Sequence, residues 1–235
     1  MNTLQEIQAA WKNTPEGHKA MHEAMIDLVN KDEQLKAHRD FVENHVFGFG
    51  ERSFLWLWNV LVKEMSHEFE FLEIGVFKGA ILSLIELLAE KNEKESFRIG
   101  VTPLSTAGGV WESDYERDIR TIHDQFNLPQ DYKIIKGDST DPATIKDCKG
   151  SELDILYIDG GHTYEIASSD IKNYAPLVKP GGFLVIDDCA CDLPMPFGYF
   201  TGIEDVTRAV NDSPLIKTDF EFIFSVVHIK VWRRK

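Results

Sequence analysis

The chain has 235 residues, 43% of them hydrophobic, or about 47% when glycine is counted in place of tyrosine, which marks a globular chain and excludes wholesale disorder. At roughly 150 residues per domain it holds one large domain, or one domain with an appendage. Its formal net charge of −14 repels phosphate backbones and anionic lipid, which argues against nucleic acid and membrane surfaces as partners.

The first 45 or so residues are rich in Glu, Lys, His, Gln and Met. Met21, Met25, Leu28 and Val29 recur at helical spacing, so this stretch reads as one or two amphipathic helices broken near Pro15 and Gly17. Residues of such a stripe, Trp11 included, are core or interface positions, and the Met-rich extension is a reasonable dimerisation element, so a homo-oligomer is expected. Residues 51–64 form a further helix, buried on most sides because FLWLWNVLV from Phe54 to Val62 is apolar all round. That run falls far short of the roughly 20 residues a bilayer span requires.

From Glu68 onward strand, turn and helix alternate, as in βαβ units around a parallel sheet. Strands are expected at 69–74, 97–101, 132–136, 155–158 and 183–186, with helical segments at 81–91, 114–126 and 164–174 and a short turn near 143–146 between them. Residues 220–227 and 229–233 read as an antiparallel hairpin at one sheet edge. The expectation is therefore a doubly wound, mostly parallel seven-stranded α/β sheet, with residues 1–50 as a helical extension and 51–235 as the domain proper. Cys148, Cys189 and Cys191 cannot all pair and no secretory segment opens the sequence, so a reducing, cytoplasmic setting is expected. The seven histidines other than His162 (His18, His22, His38, His45, His67, His123 and His228) read as scattered residues of mostly helical surface.

Ligands of open α/β sheets bind beyond the carboxyl ends of the strands. After the first strand comes Glu73-Ile-Gly75-Val-Phe-Lys-Gly79, a glycine turn opening a helix. Neither the dinucleotide G-x-G-x-x-G nor the phosphate-binding P-loop is present. After the third strand comes Gly137-Asp138-Ser139, after the fourth Asp159-Gly-Gly-His162, and after the fifth Asp187-Asp188. Helix capping explains any one of these aspartates but not the adjacent pair, which no helix pattern follows at once.

These stretches, FLEIGVFKGA at 71–80, GDS at 137–139 and LDILYIDGGHTYEIASSDIKNYAPLVKPGGFLVIDD at 153–188, resemble the class I S-adenosylmethionine-dependent methyltransferases with a Rossmann-like fold. The subgroup resembled includes metal-dependent sugar and macrolide O-methyltransferases and cephalosporin-hydroxylase-like proteins. The resemblance implies that Glu73, Gly75 and Gly79 line the methionine and ribose end of the cofactor, and that Asp138, with Ser139 beside it, lies near the adenine. It implies that Asp159, Asp187 and Asp188 hold Mg²⁺ or another hard divalent cation, and that His162 is the general base. The acceptor implied is a hydroxyl of a sugar or glycosylated small molecule.

Elementary chemistry agrees with that assignment. Three gathered carboxylates repel one another unless a cation is present, and a hard divalent ion suits an incomplete oxygen cage. The alternatives are a capping or solvent-facing His162 and, from Cys189-Ala-Cys191, a softer metal, though no C-x-x-C pair exists. The 192–202 segment, with Phe197, Tyr199 and Phe200, is expected to cover the acceptor pocket.

Thr102 stands where the family carries a carboxylate for the ribose, and Ala80-Ile81 replaces a frequent Gly-Ser pair. One hydroxyl cannot replace a bidentate acceptor. Either Glu112 or Asp114 reaches in, or cofactor binding is weakened, or the fold serves another ligand. The readings are then a methyltransferase, a hydroxylase-like or otherwise diverted relative, and a non-catalytic adenosyl-ligand module.

Overall fold

The computed structural model describes residues 1–105 and 113–235. Seven strands form one sheet: β1 (Glu68–Ile74), β2 (Glu95–Thr102), β3 (Lys133–Lys136), β4 (Leu153–Ile158), β5 (Val178–Ile186), β6 (Phe220–Val226) and β7 (Ile229–Arg234). Their order is β3-β2-β1-β4-β5-β7-β6. The first five run parallel, and β7 pairs antiparallel with both β5 and β6. The expected mostly parallel seven-stranded sheet with its C-terminal hairpin is therefore present.

Strand alternation builds two cores. Phe71, Tyr157, Phe183 and Val185 face one layer, with residues of α1 (Leu4–Ala10), α2 (Pro15–Lys31), α4 (Phe54–Glu64), α5 (Ala80–Lys91) and α6 (Tyr115–Gln125). Leu72, Ile74, Leu156, Ile158, Leu184 and Ile186 face the other, with α7 (Pro142–Cys148), α8 (Tyr164–Tyr174), α9 (Glu204–Asp212) and α10 (Pro214–Asp219). The ends of β1 and β4, neighbours although distant in sequence, define the point where strand order reverses.

The N-terminal region holds three helices rather than one or two, α3 being Glu33–His45. Asp32 ends α2 and caps α3 by accepting from the Leu35 amide at 3.2 Å. The other break lies just before Pro15, which occupies the first helical position, where its missing N–H costs nothing, and Gly17 lies inside the helix. Met21 and Met25 are buried in this chain's own core, in the same cluster as the residues of α4. Helices α9 and α10 were not anticipated. Lys179-Pro-Gly-Gly182 is included in β5, where the pairing with β4 shifts register between Leu153 and Ile155.

The histidine expectation is corrected: His18, His22, His38, His123 and His228 are all buried. His22 and His38 make 2.9 Å contacts with the Ser53 and Ser83 hydroxyls, and His123 with Arg98. Among the described residues no helix is long and apolar enough to cross a membrane.

Candidate active site

The carboxyl ends of β1, β4 and β5 open into a cavity of about 480 Å³. Glu73, Gly75, Asp159, His162, Asp187 and Asp188 all line it, together with Tyr157 and His228. Its opposite wall comes from residues 38–55, including His38, Arg39, Phe47, Phe49 and Phe54, with Phe77, Ile81 and Leu84 alongside.

The backbone ties the ends of β1, β2 and β4 together. Gly75 has φ +100°, and a Cβ there would lie 1.9 Å from the Asp159 carbonyl oxygen, so only glycine permits this approach. The Asp159 amide donates to the Ile74 carbonyl at 2.8 Å and the Gly75 amide to Val101 at 2.9 Å, locking the crossover. Neighbouring strand residues point to opposite faces, yet Asp187 and Asp188 both reach the cavity. The reason is Asp188 itself, whose φ of 53° breaks the alternation. Its carbonyl accepts from the Ile203 amide at 2.8 Å, and Gly202 passes so close that a Cβ would meet the Asp188 backbone at 2.4 Å.

Side chains then form one acidic wall. The Tyr157 hydroxyl donates to Asp187 Oδ2 at 2.7 Å and lies 3.1 Å from Asp159 Oδ2. Trp58 packs edge-on against the Tyr157 ring, 5.0 Å between centroids, which fixes its direction. His162 Nε2 lies 3.4 Å from Asp188 Oδ2 and 3.9 Å from Asp159 Oδ1. His228 Nδ1 lies 2.6 Å from Asp187 Oδ1 and 3.1 Å from Asp188 Oδ1. Thr163, not His162, caps α8.

Titration reflects this crowding. Burial, and then the Asp187 charge, push Asp159 up to about 7. Burial also acts on Asp187, but the His228 contact and the Tyr157 hydroxyl hold it below the ordinary carboxylate range. Burial disfavours the His228 imidazolium, yet its contacts with Asp187 and Asp188 raise it to about 10. Asp159 holds His162 above its ordinary value. Glu73 is raised well above the ordinary range by burial and by Asp159, and its Oε2 has no hydrogen-bond partner.

The remaining predicted residues do not line the cavity. Gly79, with φ +83°, sets the start of α5 and packs against Ile119. The Thr102 hydroxyl donates to the Val76 carbonyl at 2.9 Å and accepts from the Leu104 amide at 3.1 Å. Asp138 is exposed and accepts from the amide and hydroxyl of Thr140 at 2.9 and 2.7 Å, while the Ser139 carbonyl accepts from Tyr174 at 2.8 Å. Asp114 caps α6 by accepting from the Arg117 amide at 3.0 Å. Glu112 and the 106–109 run lie outside the described residues. Of the 192–202 segment, Phe200 lines the cavity and Tyr199 packs on His22, whereas Phe197 is fully exposed. Cys189 is buried with its thiol on the Ile186 carbonyl, and Cys191 is exposed.

His228 is the residue that sequence reasoning missed. The available signal was an imidazole in the otherwise apolar run FIFSVVHIKVW, interrupted elsewhere only by serine and lysine.

A parallel sheet that reverses beside an acidic, glycine-lined cavity defines an α/β fold of the Rossmann-like class with its ligand site at the switch point. The chain belongs to the methyltransferase-domain family, whose model matches residues 72–189. An uncharacterised protein of Acanthamoeba polyphaga mimivirus is 31% identical over 156 residues, 63% of this chain, and the chain spans 64% of that relative's length. Three solved structures share the fold. A provisionally assigned caffeoyl-CoA O-methyltransferase from Staphylococcus aureus has a TM-score of 0.63 at 14% identity, covering 91% of this chain and 99% of that one. An S-adenosylhomocysteine-bound methyltransferase from Podospora anserina gives 0.60 at 13%, covering 87% and 88%. A TDP-rhamnose 3'-O-methyltransferase of calicheamicin biosynthesis gives 0.58 at 14%, covering 97% and 98%. The expectation of a methyltransferase-family domain on a Rossmann-like fold is thereby met.

Proposed function

We propose that this chain transfers a methyl group from S-adenosylmethionine to a hydroxyl of a sugar or glycosylated small molecule, assisted by a divalent cation. The observation that carries this reading is the convergence of Glu73, Asp159, His162, Asp187 and Asp188 on one cavity beside Gly75. The residues present fit both groups. Glu73 Oε2, buried and without a partner, is an acceptor that the ammonium of a methionine moiety would satisfy. Donor atoms of Asp159, His162 and Asp188 lie within 4.8 Å of one another, as do those of Asp187, Asp188 and His228.

Asp159, Asp187 and Asp188 would hold the cation, which when bound lowers the pKa of an acceptor hydroxyl. His162, half exposed at the mouth, takes the hydroxyl proton on Nε2 as the acceptor oxygen bonds to the methyl carbon and the sulfur–methyl bond breaks. The facing rings of Phe47, Phe49, Phe54 and Phe200 supply a stiff, largely apolar wall that orients a ring-shaped acceptor and excludes water. In this reading the helices of residues 1–50 are an extension packed on the sheet's own core that supplies part of the acceptor wall, and Asp138 and Ser139 stand at the adenine end.

Incubation with S-adenosylmethionine, Mg²⁺ and a panel of sugars and glycosylated metabolites tests the proposal by mass spectrometry. One CH₂ unit should be gained by an acceptor in the wild type, and not in Asp188→Ala. A second reading, a diverted relative using other chemistry on the same aspartates, draws on Thr102, whose hydroxyl is already engaged within the protein. Calorimetric titration with S-adenosylhomocysteine separates the two: saturable binding at one site per chain supports methyl transfer, and absence of heat and of thermal stabilisation supports the second reading.

A further inference from the structure

The hairpin joining β6 to β7 delivers a side chain to the acidic wall from the far edge of the sheet. His228 occupies that turn, after Val227 with φ 51°. Its carbonyl accepts from the Cys189 amide at 2.9 Å, tying the turn to the residue that follows the aspartate pair. Its ring is buried between Phe54 and Phe200, edge-on to each with centroids 4.8 and 5.0 Å away. The imidazole is thus held in one orientation with Nδ1 toward Asp187 and Asp188.

Two features make this more than a structural contact. First, the wall carries Glu73, Asp159, Asp187 and Asp188, and among the described residues no lysine or arginine pairs with any of them; the charged partners recorded are His162 and His228. The unpartnered Oε2 of Glu73, on a residue 3% exposed, faces the same cavity. Second, the spacing suits a shared ion. Two donors at right angles, each about 2.1 Å from one metal ion, lie roughly 3 Å apart. The Nδ1 to oxygen separations of 2.6 and 3.1 Å bracket that value.

Resting on the metal-dependent reading above, we propose that His228 contributes Nδ1 to the cation's donor set with Asp187 and Asp188, so that the site selects an imidazole-tolerant ion such as Mn²⁺ or Co²⁺ over Mg²⁺. Carboxylates and water alone accept Mg²⁺ readily, whereas an imidazole nitrogen in a mixed donor set favours first-row transition ions. The ion replaces a proton on Nδ1, since ligating groups bind deprotonated.

The test is the full-length protein titrated calorimetrically with Mn²⁺, Co²⁺ and Mg²⁺, with pulsed electron paramagnetic resonance of the Mn²⁺-loaded protein to detect directly bound ¹⁴N. The wild type should prefer Mn²⁺ and Co²⁺ to Mg²⁺ by at least about tenfold and show the nitrogen signal. His228→Gln should lose that signal and about 10–100-fold in Co²⁺ affinity, with Mg²⁺ affinity nearly unchanged. His162→Gln, at an exposed position that does not carry the fold, should keep the nitrogen signal. If the signal disappears in His162→Gln, if His228→Gln binds Co²⁺ as tightly as the wild type, or if the wild type shows no preference over Mg²⁺, the assignment of His228 is overturned. If no divalent ion binds the wild type while S-adenosylhomocysteine still does, the metal-dependent reading fails and takes this one with it.

Discussion

The two halves of the sheet's carboxyl edge are built on opposite principles. At the ends of β1, β4 and β5, groups are left in excess: four carboxyls crowd one wall, and Glu73 Oε2 has no partner. At the ends of β2 and β3 the polar groups are satisfied within the protein, the Thr102 hydroxyl by Val76 and Leu104 and the Asp138 carboxylate by Thr140. A buried group without a partner is costly and persists where a ligand supplies what is missing. The first half therefore announces a ligand by its own imbalance, whereas the second resembles ordinary strand-to-loop closure.

Substitutions at these two ends should separate accordingly. Asp188→Ala removes the residue shared by both candidate metal groups. Loss of several kcal/mol of charge stabilisation should lower turnover at least about 10³-fold, read by product mass spectrometry, with weakened divalent-ion binding. Glu73→Gln keeps the shape but not the charge. S-adenosylhomocysteine affinity should fall about 10–100-fold by calorimetry, the weight of a hydrogen bond to a charged group; unchanged affinity would sink the assignment of Glu73 to the cofactor's ammonium.

Asp170, behind the site on α8, sharpens the contrast through pH. It is fully buried, and burial pushes its carboxyl up to about 7. Its folded pKa lies above its unfolded value near 3.9, so the native state binds the extra proton, and its favourable contribution, full below the unfolded value, is lost as pH rises through about 7. Asp170→Asn should therefore melt a few degrees above the wild type at pH 8, with the gap shrinking toward pH 4; a pH-independent gap would contradict the burial argument. The smallest functional effect is expected at the satisfied end. Thr102→Val should cost about 1–3 kcal/mol of stability by denaturant unfolding, because Val76 and Leu104 lose their partner, while cofactor affinity stays within about threefold. A large loss of affinity there would show that the apparent self-sufficiency of this half is misleading.

How much of this was legible beforehand follows from range. The parallel strands declare themselves by apolar runs ending in Glu73-x-Gly75, Asp159 and Asp187-Asp188, and the structure brings those residues to one cavity. The division between α2 and α3 was invisible because one apolar stripe crosses Asp32, a residue that ends one helix and caps the next. Pro15 read as a breaker because its place at a helix start depends on where the preceding turn falls. The short helices α9 and α10 stayed hidden because neither offers more than about two turns of periodicity. His228 could not be placed because it meets Asp187 only through the antiparallel return of β7 along β5. The failure of Thr102 to reach the cavity rests on hydrogen bonds that no residue pattern specifies.

The cavity is assembled from two stretches of chain with unequal freedom. Its reactive wall hangs on strand ends where Gly75 and Gly202 admit no side chain without collision with the backbone of Asp159 and Asp188. Its facing wall is drawn largely from residues 38–55, whose aromatic and aliphatic side chains carry none of the acidic wall's carboxylates. On the proposed function the molecule is a fixed engine beneath an exchangeable mould: the acceptor would be retailored by editing the short stretch of codons for residues 38–53, with Phe54 held back because it packs on His228.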